Sequence, residues 1–124
     1  MIAKSDIKNR KGTHWKKMVA FLNRHGKRKG FYAKTVYGNI GLLKKHIASG
    51  LPVIVRQWKN PSKPFKHYRV VVGYNERKRT ITYHDPAKGS YMRMGYSLFN
   101  ELWDIKSQGP KWTSKNLMII ITRR

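Results

Sequence analysis

The stretch that decides the fold is His67-Tyr-Arg-Val-Val-Val-Gly-Tyr74, followed by a polar turn at Asn75–Arg79 and by Thr80-Ile-Thr-Tyr-His-Asp85-Pro-Ala-Lys-Gly89. Two runs rich in Val, Ile, Thr and Tyr on either side of a polar turn predict an antiparallel β-hairpin. With the turn centred near residue 77, His67 lies opposite residue 87 or so, and Asp85 lies within one pleat of it. The hairpin therefore brings a histidine and an aspartate together at its open end.

An imidazole held by a carboxylate is the orienting half of a nucleophilic catalytic site. The carboxylate sets the tautomer of the ring and stabilises the imidazolium form. Two simpler explanations stay open for the same residues. Asp85 and Pro86 form a turn in which the carboxylate caps its own backbone, or His67 is a half-exposed side chain at a strand end.

The segments before the hairpin predict two helices and a strand. Apolar residues recur at helical spacing between Thr13, the predicted N-cap, and Gly26, the predicted end, which gives a helix of about 12 residues. Phe31–Tyr37 alternates apolar and polar residues, as a short strand does. Asn39 is the predicted cap of a second helix, which ends at Gly50.

The remaining segments complete an α+β pattern. Pro52–Trp58 and Leu117–Thr122 are compact apolar runs, which are typical of strands buried on both faces. Ser97 is the predicted cap of a third short helix. That helix has two apolar sides, with Leu98, Leu102 and Ile105 on one and Phe99 and Trp103 on the other. We expect an antiparallel sheet of about four to five strands with two to three helices.

Length and composition fit one folded domain. The chain has 124 residues, of which 40% are hydrophobic, and this is enough apolar material for a core. Residues 1–11 are polar and basic without periodicity, so we expect a flexible lead-in followed by a domain over residues 12–124. We find no apolar run typical of a signal peptide or of a membrane span, and we expect a location in the cytoplasm or within a nucleic-acid-containing particle.

The charge of the chain favours a polyanionic partner. The sequence has 28 Lys and Arg against 5 Asp and Glu, a formal net charge of +23. An excess of this size opposes compaction unless anions offset it. We expect contacts with the phosphate backbone of RNA or DNA, and we consider other proteins of a large assembly as further partners. The predicted phosphate contacts are Lys8, Arg10, Lys11, Lys16, Lys17, Arg24, Lys27, Arg28, Lys29, Lys44, Lys45, Arg77, Lys78, Arg79, Arg123 and Arg124.

Metal, cofactor and thiol chemistry have no support in these residues. The five histidines do not have metal-binding spacing and carboxylates are scarce, so we expect no metal and no cofactor. Cysteine is absent from the 124 residues, which excludes a thiol nucleophile among them.

Four motifs in order resemble the papain-like cysteine peptidases that process double-glycine bacteriocin leaders, and their peptidase-like relatives. They are Gly50–Val55, His67–Tyr74, Asp85–Gly89 and Tyr96–Trp103. The resemblance covers roughly residues 12–122 and implies a papain-like peptidase fold, here truncated. It also implies that His67 is the catalytic histidine and that Asp85 is the aspartate that orients it.

The resemblance implies two further residues that have no counterpart here. The family's nucleophile is a cysteine on an N-terminal helix, preceded by a glutamine that donates to the oxyanion, and that helix would lie before Met1. Ser5 and Thr13 are hydroxyls in a different context, and a hydroxyl needs stronger activation than a thiol. We therefore expect a catalytically inactive, degenerate domain that binds a polyanion, as a small basic component of a ribonucleoprotein. The alternative is a cysteine peptidase, or a peptide-binding subunit of one, whose Cys/Gln helix lies upstream or in another chain.

Overall fold

A computed structural model of the chain describes residues 15–62, 65–103 and 116–123. In this part of the chain, six strands form one antiparallel sheet, and three helices pack on its two faces. In chain order the elements are α1 (Trp15–Lys29), β1 (Phe31–Tyr37), α2 (Ile40–Ala48), β2 (Val53–Trp58), β3 (Lys66–Asn75), β4 (Thr80–Asp85), β5 (Gly89–Gly95), α3 (Tyr96–Trp103) and β6 (Leu117–Arg123). The α+β prediction is confirmed, with six strands where the sequence predicts four to five.

The sheet has the strand order β1-β6-β2-β3-β4-β5, so the two most apolar strands lie inside it. β6 separates β1 from β2, and Val53 of β2 lies opposite Ile120 of β6. The first five residues of β2 and the first four of β6 are buried. Their continuous Val/Ile runs therefore have the predicted explanation, which is that helices cover both faces of these strands.

Each face of the sheet has its own apolar core. On one face, α2 and α3 pack on the sheet through buried residues that include Leu43, Phe99 and Trp103. The indole nitrogen of Trp103 donates to the carbonyl of Leu117 at 2.8 Å, so the polar atom of this buried ring is satisfied. On the other face, α1 contributes Met18 and Leu22 to a smaller core. None of the described helices is long and apolar enough to cross a membrane.

Helix α1 continues for one turn past its predicted end. Gly26 lies inside the helix, and Gly30, with a φ of +80°, follows its last residue. A Cβ atom at Gly26 would clash with the carbonyl oxygen of Phe31 and would lie 2.8 Å from its ring. Gly26 therefore permits close packing of α1 against the start of β1, and it does not end the helix. The predicted cap Thr13 and residues 1–11 lie outside the described residues, so those predictions remain open.

Strand β5 is absent from the sequence-based prediction. Gly89–Gly95 has few β-branched residues, but it pairs with β4 from Gly89 opposite Asp85 to Gly95 opposite Thr80. Its conformation is set by the neighbouring strand, which overrides its weak intrinsic preference.

Helix α3 has one buried face, so the prediction of two apolar sides is wrong. The helix begins at Tyr96, one residue before the predicted cap Ser97. Leu98 is 41% exposed, whereas Leu102 is buried on the same side as Phe99 and Trp103. Ile105 lies outside the described residues. The second helix begins as predicted, because the Asn39 side chain accepts a hydrogen bond from the Leu42 amide at 2.8 Å.

We expect Gly26→Ala to lower the free energy of unfolding by about 1–3 kcal/mol, because the added methyl group has no space next to Phe31. Alanine is otherwise the better helix former by about 1 kcal/mol. Chemical denaturation measures the change. Gly41→Ala in α2 is the matched control, because its Cβ would meet only the Asn39 side-chain oxygen, at 3.2 Å. Equal stability of Gly26→Ala and the wild type would contradict the packing role.

Candidate active site

The β3–β4 hairpin has the pairing that the sequence predicts. Val70 lies opposite His84 and Val71 opposite Tyr83, with a bulge between Val71 and Gly73. This register continues to Arg69 opposite Asp85, so their side chains lie on the same face of the sheet. It is the face on which α2 and α3 pack, and the open end of the hairpin lies at its edge.

His67 and Asp85 are in direct contact at this end of the hairpin. Nε2 of His67 lies 2.8 Å from Oδ1 of Asp85, and the two side chains are 17% and 1% exposed. A carboxylate accepts hydrogen bonds, so Nε2 carries the proton and Nδ1 holds the lone pair when the ring is neutral. Within the part of the chain that the structure describes, His67 makes its hydrogen bond through Nε2 and none through Nδ1, so Nδ1 is available to an incoming group.

The Asp85 carboxylate also caps the turn that follows it. Oδ1 accepts a second hydrogen bond from the amide of Ala87 at 2.9 Å, and the Asp85 carbonyl accepts one from Lys88 at 3.2 Å. The simpler explanation of an Asp-Pro turn is therefore correct and is compatible with the histidine contact. The turn holds the carboxylate in place while His67 binds to it.

The pKa of Asp85 lies below its ordinary value. Burial raises this pKa, but the opposing effects are larger in sum: the hydrogen bonds from His67 and Ala87 and the positive charges of His67 and Arg69 all lower it. The carboxylate is therefore ionised at neutral pH and ready to stabilise an imidazolium ion beside it.

Arg69 is a third member of this group that the sequence does not single out. Its guanidinium is 3% exposed, and Nε lies 3.3 Å from Oδ2 of Asp85, close enough for an ion pair although the atoms are not aligned as a hydrogen bond. Nη1 and Nη2 donate to the backbone carbonyls of Trp58 and Lys59 at 3.2 and 2.9 Å. Arg69 thus compensates the buried negative charge and fixes the second carboxylate oxygen.

Gln57 connects this charge cluster to α3. Its side chain is fully buried; Oε1 accepts from Arg69 at 3.1 Å, and Nε2 donates to the Phe99 carbonyl at 3.0 Å. A glutamine inside the apolar run Pro52–Trp58 is the signal in the sequence that could have indicated this buried hydrogen-bonding residue. Gln57 and Arg69 occupy inward positions beside the buried valines Val55 and Val71 of their own strands.

The arrangement can accept a proton and hold the resulting charge. Asp85 and Arg69 carry opposite charges and compensate each other, so a neutral His67 is free to become charged when a proton reaches Nδ1. The described residues contain no cluster of three histidines or carboxylates that could hold a metal ion.

The predicted phosphate contacts lie at several places on the surface. The exposed ones are Lys17, Arg24, Lys27, Arg28, Lys29, Lys45, Arg77, Lys78, Arg79 and Arg123. Lys44 is less exposed and pairs with Glu76 at 2.6 Å. The remaining ones, Lys8, Arg10, Lys11 and Arg124, and the side chain of Lys16, lie outside the described residues.

Two groups of these bases share one end of the sheet. Lys27–Lys29 precede β1, and Arg123 lies opposite Phe31 at the first residue of that strand. Arg77–Arg79 lie in the turn between Asn75 and Thr80, which pair at the same end of the antiparallel sheet. His67 and Asp85 lie at the opposite end. The fold therefore separates this basic end from the histidine–aspartate pair.

We expect Asp85→Asn to lower the free energy of unfolding at pH 7 by about 3–5 kcal/mol, because Arg69 would stay buried without its counter-charge. Folding lowers the pKa of Asp85, so its charge stabilises the folded state fully when the pH is above the unfolded-state pKa of about 3.9. This stabilisation is lost as the pH falls through the lower pKa of the folded state. Melting curves from pH 7 to pH 2 should therefore converge in acid.

Glu101→Gln is the control for this experiment, because Glu101 is an exposed carboxylate on α3. Its melting curve should follow that of the wild type at every pH. If the difference in melting temperature between Asp85→Asn and the wild type stays constant down to pH 2, the charge of Asp85 is not what stabilises the site.

Comparison with known proteins shows the family of the chain. Residues 8–109 match the model of the Peptidase_C39 like family, and a search of curated proteins gives no match. A C39-like peptidase from Bacillus anthracis has a similar structure, with a TM-score of 0.61 and 17% identity; the match covers 84% of this chain and 57% of that protein. The chain thus spans little more than half of that relative.

Two peptidase domains of streptococcal ComA are also similar. The first is the domain from Streptococcus, which is part of a bifunctional ABC transporter in a quorum-sensing pathway. Its TM-score is 0.58 and its sequence identity is 21%, and the match covers 94% of this chain and 71% of the Streptococcus domain. The Streptococcus mutans domain has a TM-score of 0.58 and 22% identity, over 92% and 78%. Identities this low show a common fold. Because the family match extends over most of the 124 residues, the chain belongs to the Peptidase_C39 like family.

Proposed function

We propose that these 124 residues supply the histidine and the aspartate of a thiol-peptidase site and hydrolyse no peptide on their own. The observation that supports this is the 2.8 Å contact between Nε2 of His67 and Oδ1 of Asp85, which leaves Nδ1 as the basic nitrogen. The 124 residues contain no cysteine. A general base without a nucleophile contributes about 10²–10⁴-fold, and only to a substrate that is already positioned.

The nucleophile in this proposal is a cysteine from outside the 124 residues, on a preceding segment or on a separate chain. Its thiol would give its proton to Nδ1 of His67, which produces a thiolate and an imidazolium ion. Asp85 would stabilise that imidazolium through Nε2, and Arg69 would keep the carboxylate in position. The substrates would be peptides of the double-glycine leader type, by analogy with the family that the motifs resemble.

We expect ¹⁵N NMR of the imidazole rings to find neutral His67 protonated on Nε2, because the Asp85 carboxylate accepts from that atom. Asp85→Asn should weaken this preference, whereas exposed His25 should keep its own tautomer ratio in both proteins. A proton on Nδ1 of His67 would rule out its role as the base in the folded chain.

We also expect the chain alone to leave a double-glycine leader peptide uncleaved, and a fusion with a cysteine-bearing N-terminal helix of a family member to cleave it. His67→Gln in the fusion should abolish cleavage, and His25→Gln should not. Turnover by the unfused chain that disappears in His67→Gln would contradict the requirement for an added nucleophile.

The charge of the chain supports a second candidate function, the binding of a polyanion in a nucleic-acid-containing assembly. Its specific support is the basic end of the sheet, formed by Lys27–Lys29, Arg77–Arg79 and Arg123. Five inter-strand spacings of about 4.8 Å make this end about 24 Å wide, enough to contact several consecutive phosphates. Of the three described acidic residues, Glu76 and Asp85 are paired with basic groups and oppose this field only weakly, and the third, Glu101, lies on α3.

We expect RNA or DNA affinity to fall steeply with salt, and the slope of log K against log[salt] to decrease by about 0.7–0.9 for each phosphate contact removed. The double variant Arg77→Gln/Lys78→Gln should reduce the slope. Lys59→Gln/Lys88→Gln, which removes two exposed lysines near the other end of the sheet, is the matched control. Fluorescence anisotropy measures both, and salt-insensitive binding would contradict this second function.

A further inference from the structure

Arg56 is a buried cation, and no described residue provides it with an anionic partner. It lies on β2 on the same side as Ile54, the side that α1 covers, and it is 8% exposed. Its Nε and Nη2 atoms are enclosed and have no hydrogen-bond partner among the described residues. Burial lowers the pKa of this guanidinium, in keeping with the cost of enclosing its charge. Such a group is strongly destabilising unless an anion compensates it.

Arg69 on the neighbouring strand shows what Arg56 lacks. Both guanidiniums are buried, that of Arg56 on β2 and that of Arg69 on β3, but they point to opposite faces of the sheet. Arg69 has the Asp85 carboxylate and three hydrogen-bond acceptors. The difference indicates that, on the α1 face, an oxyanion from solution can take the place that the Asp85 carboxylate has on the other face.

The neighbours of Arg56 are suited to receive such an anion. Tyr68 lies directly opposite Arg56 on β3, and burial raises the pKa of its phenol to about 12, so the hydroxyl stays protonated and can donate. Lys66 precedes Tyr68 on the same side of β3, and its side chain is exposed. Burial of its ammonium and the like charge of Arg56 lower the pKa of Lys66. An anion bound between them would relieve that repulsion.

We propose that Arg56, Lys66 and Tyr68 form a binding site for a phosphate dianion on the α1 side of the β2–β3 pair. Nε and Nη2 are adjacent donors on one edge of the guanidinium, the edge that binds two oxygens of a phosphate in parallel. The ammonium and the phenol provide donors for further oxygens. The two positive charges of Arg56 and Lys66 match the phosphate charge of about −2, whereas a carboxylate has one negative charge and two oxygens.

Binding requires a movement of Arg56. Nη1 is the guanidinium nitrogen that is not enclosed, so the group reaches the surface at that end. Rotation about the bonds of its long side chain turns the Nε–Nη2 edge outward onto the ligand, next to Lys66. The ligand is inorganic phosphate or the phosphate of a monoester, because both present the same dianion.

This site is separate from both proposed functions. Lys66 and His67 are consecutive residues of a strand and therefore point to opposite faces of the sheet. The site also lies at the end of the sheet away from Arg77–Arg79. Failure of the phosphate site would leave the His67–Asp85 pair and the basic end unaffected.

The test compares melting temperatures of the full 124-residue chain in phosphate and in chloride at equal ionic strength. Phosphate should raise the melting temperature of the wild type, and Arg56→Met should lose that increase. In chloride, Arg56→Met should melt above the wild type, because a buried unpaired charge has been removed. Arg93→Met, which removes an exposed arginine of β5, should keep the full phosphate effect.

Two further measurements distinguish the ligand and guard against a misfolded variant. Glycerol phosphate in place of inorganic phosphate tells whether a monoester binds more tightly than the free ion. In the wild type, the Nε–H resonance of Arg56, identified by its absence in Arg56→Lys, should shift with phosphate and not with acetate. A phosphate effect that persists in Arg56→Met, an unmoved resonance, or an equal effect of acetate would overturn the proposal.

Discussion

The buried carboxylate of Asp85 is the group on which the rest of the site depends. A negative charge that is almost fully enclosed persists only if several donors compensate it, and here they come from His67, Arg69 and the Ala87 amide. These contacts fix the open end of the β3–β4 hairpin and orient the imidazole. Through Arg69 and Gln57 they also reach the carbonyl of Phe99, so the position of α3 is coupled to the same charge.

Hydrophobic periodicity predicts most of this fold, because β2, β6 and α2 have strong local patterns and their apolar faces are buried as expected. It also predicts the meeting of His67 and Asp85, which requires only the hairpin and its turn. It does not predict β5, whose conformation comes from pairing with β4, nor the end of α1, where Gly26 serves packing. The partners of Arg69 and the isolation of Arg56 depend on contacts between strands, which a linear pattern does not contain.

The two faces and two ends of one sheet hold different chemistry. The face under α2 and α3 carries a compensated charge cluster with an open imidazole nitrogen. The α1 face carries the Arg56 guanidinium, which has no counter-charge in the described part of the chain. Two groups of exposed bases, Lys27–Lys29 with Arg123 and Arg77–Arg79, lie at the end away from the imidazole. The sheet keeps these bases apart from the imidazole, and distance and solvent screen the field between them.

The position of β6 has a consequence for how the protein is made. Among the described strands β1 pairs with β6 alone, and β6 lies between β1 and β2 although it follows every other described element in the chain. During synthesis, therefore, α1 and β1 leave the ribosome long before their sheet partner does, and β2 presents an open apolar edge in the meantime. Closure of such a long loop slows folding, and an open apolar edge favours association with other chains until residues 117–123 pair with it.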